Sequence, residues 1–228
     1  MLLAAAASLR GVVPELIAGY LSRHPGPEPI VSYGASGTLC SQVEAGAPVH
    51  AVLFAASEPV SRLVDAGLAQ GASTSTLARN QLVLVGSAGG AALDFRTMGS
   101  MTRGQRLVIG NPDFVPAGRY ARQLLDELGV WDLFADRLVY AGDVTRALAY
   151  VRRGEAEFGL VYATDVRGQQ GLVVLDRADW QGAPRPEVVG AITHLGSAHP
   201  SAATFLDYVR SSEAAGHFAA SGFARVVD

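Results

Sequence analysis

The chain has 228 residues, 49% hydrophobic and 17% charged, which is enough apolar material for a packed core and excludes a disordered chain. Its formal net charge of −3 excludes a surface built to clamp nucleic-acid phosphates, which depends on clustered cations. All basic residues are arginines and Cys40 is the single cysteine. A P-loop or Schiff-base lysine, a Ser-x-x-Lys nucleophile, an internal disulfide and a Cys-x-x-Cys metal cluster are therefore excluded too.

The run Met1 to Ala7 lacks a basic flank and is too short to span a bilayer, so Leu2 to Ala6 reads as a first buried strand. Ser8 is placed to cap a helix whose apolar face is Leu9, Val12, Val13, Leu16, Ile17, Tyr20 and Leu21, ended by Pro25-Gly26-Pro27. Ile30 to Tyr33 is a second strand, and Gly34 to Thr38 a small-residue turn into a helix carrying Leu39 and Val43, closed by Gly46. Ala51 to Ala55 is a third strand, followed by a helix from Pro59 to Leu68. This alternation predicts a mostly parallel sheet flanked by helices.

At Asn80 the rhythm changes. Gln81 to Val85 is a strand that crosses into a second lobe. That lobe holds a strand at Leu107–Ile109, a helix over 117–128, a strand at Leu138–Tyr140, a helix from Val144 to Arg152, a strand at Phe158–Tyr162 and a surface strand at Leu172–Leu175. Arg185 to Ile192 is the return crossing, and helices at Pro200–Arg210 and Ser212–Ala220 pack back on the first lobe. The expected division is residues 1–79 with 191–228 as lobe I and 80–190 as lobe II. No internal repeat or low-complexity tract stands out.

The most informative stretch is Gly110 to Ala121, GNPDFVPAGRYA: a strand, a tight Pro/Gly turn, then a helix start. First-turn amides have no intrahelical partner, Pro116 forfeits an N–H at no cost, and the small Ala117 and Gly118 leave bare amides open to an oxygen-rich anion. Arg119 is expected to lie along the helix surface. Taken alone, the stretch fits an ordinary strand-to-helix loop equally well.

Its letters resemble the G-(D/N)-P-x-x-V-P-A-G-x-Y-A signature of periplasmic molybdate-binding proteins, the substrate-binding subunits of ABC importers. The same family pattern is met in Ala5-Ala6-Ala7-Ser8-Leu9, in Ser32 to Leu39, in Glu44 to Pro48, in Asp143 to Leu148 and in Gly159-Leu160-Val161-Tyr162, in order along nearly the whole chain. The resemblance implies the two-lobed α/β type II periplasmic-binding-protein fold. It also implies binding of molybdate or tungstate between the lobes by Ser8, Ser36, Ala117, Val144 and Tyr162, with the metal held only as its oxyanion. A binder with no cofactor, a permease partner, a monomeric state and a periplasmic or cell-envelope location follow, with a signal peptide expected upstream. The family's Ala-Asp appears here as Val49-His50, and its Ser-Ala-acid run as Phe54-Ala55-Ala56. These departures touch no expected ligand.

The donor set suits a deprotonated dianion, since molybdate presents only acceptor oxygens and these positions present hydroxyls and free amides. Each has a plainer role: Ser8 and Ser36 as helix caps, Tyr162 as a core tyrosine, Val144 as a buried first-turn residue behind an Asp143 cap. Sulfate or phosphate on the same fold is one alternative. A serine hydrolase using Ser36 is another, although Gly34-Ala35-Ser36-Gly37-Thr38 departs from a nucleophile elbow at Thr38. A base histidine would also be needed, and His24, His50, His194, His199 and His217 lie in loops or the tail helix, none at the end of a second-lobe strand and none with a paired acid, so they read as surface residues.

Overall fold

The computed structural model describes residues 1–226; Val227 and Asp228, which end the expected first lobe, lie outside the described residues. In chain order the strands and helices are β1 (Leu2–Ala6), α1 (Val13–Arg23), β2 (Ile30–Gly34), α2 (Ser36–Glu44), β3 (Ala51–Phe54), α3 (Ser57–Asp65) and β4 (Ser75–Arg79). Then come β5 (Leu82–Ser87), β6 (Leu107–Gly110), α4 (Pro116–Glu127), β7 (Leu138–Ala141), α5 (Val144–Arg152), β8 (Phe158–Tyr162), α6 (Ala163–Val166) and β9 (Leu172–Arg177). The chain ends with β10 (Glu187–Ile192), α7 (Pro200–Val209) and α8 (Ser212–Ala220).

Two compact units result: Met1–Arg79 together with the chain from Glu187 onward, and Asn80–Pro186. The return therefore falls at Glu187 and not at residue 191. The reason is pairing: β10 joins the first unit's sheet from its first residue, with Glu187 opposite Arg79 and ion-paired to it at 3.6 Å. The two crossing points are tied within the second unit, where the Asn80 amide donates to the Pro186 carbonyl at 2.8 Å.

Each unit carries a five-stranded sheet, ordered β2-β1-β3-β10-β4 in the first and β7-β6-β8-β5-β9 in the second. With the strand that follows each crossing (β10 and β5) set apart, the remaining four strands take the same order in both, although the sequence shows no repeat. The sheets are mixed and less parallel than expected. In the first, β1 pairs parallel with β2 and β3, while β10 runs antiparallel to β3 and β4. In the second, β6 pairs parallel with β7 and β8, while β5 runs antiparallel to β8 and β9. The reversed strand in each sheet is the one that follows a crossing. Hydrophobic runs such as Leu82-Val83-Leu84-Val85 announce burial on both faces but carry no direction.

β4 went unread in the sequence because Ser75-Thr76-Leu77-Ala78-Arg79 is a half-polar edge strand. α1 begins at Val13, later than the apolar spacing predicts, because Pro14 cannot sit in a helix that already includes Arg10. The tail helices do return to the first unit: Tyr20 of α1 bonds Thr204 of α7 at 2.9 Å and meets Phe205 edge-on at 5.3 Å.

The join between β6 and α4 decides where the second unit's helix starts. A methyl at Gly118 would lie 2.0 Å from the Gly110 carbonyl oxygen, and one at Gly110 would lie 2.4 Å from Val115 Cγ1. The helix thus presses directly on the strand end. Gly118→Ala is expected to lower stability by about 1–3 kcal/mol, the ordinary cost of overpacking, read as a lower urea midpoint at unchanged m-value.

Candidate functional site

In the first unit, β1 and β2 are paired in register up to Ala6 opposite Gly34, so the turns after them start level. Ser8 sits in the 3-10 turn Ala7–Leu9 and Ser36 is the first residue of α2. Neither is a cap, contrary to the plainer expectation: the cap positions belong to Val12 and Ala35, and no side-chain cap bond is made there. Ser36 is fully buried, and its oxygen accepts the Ala55 N–H at 3.0 Å from the turn after β3. That bond orients the hydroxyl and leaves its proton to donate. Ser8 Oγ is also buried and, among the described residues, has no hydrogen-bond partner.

In the second unit, Ala117, Val144 and Tyr162 follow or end the three neighbouring parallel strands β6, β7 and β8. Within the first turn of α4, Pro116 has no N–H and Gly118 N–H is spent on the Val115 carbonyl at 2.9 Å. The small Gly118 therefore serves packing and not anion access, a correction to its expected role. Ala117 keeps its amide at the helix start. Val144 opens α5 behind Asp143, whose carboxylate accepts the Arg146 N–H at 2.9 Å and caps the helix. Tyr162 ends β8 with 1% of its surface exposed. Burial, and then the nearby Tyr120 and Asp165, push its phenol well above the usual tyrosine range, against the opposing pull of Arg119. The phenol therefore stays protonated and can donate.

Two residues were misjudged or missed. Arg119 does not run along the surface: its Nη2 is buried and its charge acts on Tyr162. Asp165 was not singled out at all. It lies three residues past the end of β8 and accepts the Tyr162 backbone N–H at 3.2 Å. The signal was its acidic type in the first turn of a helix starting at a strand end.

Every expected donor position thus lies where a parallel strand gives way to a helix or turn. The model of a family described as bacterial extracellular solute-binding protein matches residues 1–224. This chain belongs to that family. The solute-binding protein is 34% identical over 224 residues to the molybdate-binding protein ModA of Escherichia coli K12, covering 96% of this chain and 86% of that one. Its fold is shared with the periplasmic molybdate-binding protein of Azotobacter vinelandii (TM-score 0.82, 22% identity, 100% of this chain and 99% of that chain). It is shared as well with the sulfate-binding protein SubI of Mycobacterium tuberculosis (TM-score 0.81, 19% identity, 99% and 86%). The two-unit α/β architecture is accordingly that of type II periplasmic binding proteins. Membership places this chain among exported binders and not among enzymes.

Asp165 gives the solute-binding protein a titration near neutrality. Burial of its carboxyl raises it to about 7, against the lowering effect of the Tyr162 N–H and with a further push from Asp143. A folded-state value above the unfolded one means that the folded protein holds the extra proton, so the contribution of Asp165 to stability is fully present below about pH 4 and is lost as pH rises to about 7. Asp165→Asn is expected to remove that decline. Urea midpoints measured at half-unit steps of pH on both proteins check it; parallel curves would show that Asp165 is ionised throughout.

Proposed function

We propose that this solute-binding protein captures molybdate, or the nearly isosteric tungstate, and hands it to the permease of an ABC importer. The observation that carries the reading is Ser8 Oγ, a buried hydroxyl without a protein partner among the described residues. Leaving such a group unsatisfied costs about 1–3 kcal/mol, so its retention is explained by a ligand that accepts from it. Ser8 and Ser36 are the donors that the first unit offers, and Ala117, Val144 and Tyr162 those of the second. The set contains hydroxyls and amides and no acceptor-only group, which matches an anion whose four oxygens only accept. Molybdenum is then held through its oxygens, with no protein atom bound to the metal and no cofactor.

A singly protonated phosphate needs an acceptor for its own proton. None of the five proposed positions carries a carboxylate to take it, which disfavours this ligand. Sulfate has the same charge and shape as molybdate, and its shorter bonds are what donors on fixed helix starts discriminate against, at about 1 kcal/mol or more for each stretched bond. The protein acts as an exported monomer, periplasmic or held at the cell envelope.

Ser8→Ala separates this reading from a structural role. The substitution removes a polar group that the free protein leaves unsatisfied, so the unliganded Tm should hold or rise. Molybdate affinity should fall by roughly 10- to 150-fold, the equivalent of one charge-assisted hydrogen bond. Calorimetric titration with molybdate and sulfate on both proteins decides. Unchanged molybdate affinity removes Ser8 from the site, and displacement of molybdate by equimolar sulfate from the wild type removes molybdate as the ligand.

A further inference from the structure

At the other end of the first unit's sheet from Ser8 and Ser36, His50 precedes β3 and stands beside the first residue of β1. The two residues are bound reciprocally: His50 N–H donates to the Leu2 carbonyl at 2.9 Å, and Leu2 N–H donates to His50 Nδ1 at 2.9 Å. The backbone of His50 is fixed from a second side, since its carbonyl accepts Thr193 N–H at 3.1 Å and a methyl at Gly196 would lie 1.8 Å from the same oxygen. His199 stands against the His50 ring, centroids 4.5 Å apart at 65°. It caps α7 through its own Nδ1, which accepts Ser201 N–H at 3.2 Å.

Both Nδ1 lone pairs therefore receive a backbone N–H, which fixes each neutral ring with its proton on Nε2. A second proton must go to Nδ1, where it would face the donor already there. Protonation of His50 thus breaks the bond to Leu2. A divalent metal is a poor fit, because it would need the Nε2 lone pairs that this tautomer does not offer.

We propose that His50, with the His199 ring packed against it, is an acid sensor: while His50 is neutral its Nδ1 holds the start of β1, and uptake of a proton there releases that end of the unit. The titratable group facing His50 is the His199 ring, and among the described residues no carboxylate offsets it. Burial, then the His199 ring, hold His50 below the ordinary histidine range, against the opposing effect of the Leu2 N–H. The folded state therefore binds fewer protons than the unfolded one, so the stabilisation is complete above about pH 6.5 and is lost as pH falls below it. The sensor is independent of which anion the protein carries.

Two measurements test it. Nitrogen-15 histidine spectra of the wild type at pH 7.5 should show Nε2–H tautomers at both His50 and His199. Thermal melts at pH 7.5 and 5.0 should then be compared with the double variant His50→Asn and His199→Asn, in which an amide oxygen replaces each Nδ1 as acceptor but cannot titrate. The wild type should lose about 2–4 °C more than the variant for each unit by which the folded-state value of His50 is lowered. An Nδ1–H tautomer at either ring, equal losses in the two proteins, or a rise in wild-type Tm on adding zinc at pH 7.5 would each overturn the proposal.

Discussion

Parallel strand pairing is the constraint from which the donor arrangement follows. A chain that leaves a strand and returns to pair parallel with it must come back to the same starting edge, so every strand's exit lies at the opposite edge. β1 between β2 and β3, and β6 between β7 and β8, each place three exits side by side. Register keeps those exits level, with Ala6 opposite Gly34 in one sheet and Gly110 opposite Ala141 in the other. Turns and helix starts with unspent amides then gather without any long-range design. A shift of one residue in either pairing would turn every side chain over and move Ser36 or Val144 off its exit.

What these exits offer is polarity without formal charge. A guanidinium aimed at a doubly charged anion would bind strongly, but it would bind most small anions. Amides and hydroxyls on a packed scaffold are weaker one by one and far more exacting in distance. Burial contributes by keeping the Tyr162 proton in place, so a group that could itself become an anion remains a donor. Positive charge enters from behind in Arg119, whose field reaches Tyr162 from the first turns of α4.

Much of this was legible in the sequence, for identifiable reasons. α5 and β8 were read to the residue because an acidic cap, helical apolar spacing and a closing apolar run all agree on their limits. The five proposed donor positions came from the resemblance alone, and their surroundings were not legible in the sequence. Ser8 looked like a cap because the apolar spacing runs on through Pro14, and only the backbone geometry of proline moves the helix start past it. Gly118 was read as an opening for an anion when its neighbour is the Gly110 carbonyl, a contact between segments that no local pattern encodes. The directions of β5 and β10 escaped for the same reason: direction is settled by where the chain has come from.

The place of β10 has a bearing on how the molecule is made. It lies between β3 and β4, so the first unit's sheet stays split until residues 187–192 arrive. The second unit, in contrast, is one continuous segment from Asn80 to Pro186 and holds all five of its strands. As the chain emerges from its amino terminus, the middle of the molecule can complete a core while the segment synthesised first still waits with an open seam. Such a seam exposes β3 and β4 edges to any strand that comes by, which makes the interval before β10 arrives the period of greatest risk for misassembly.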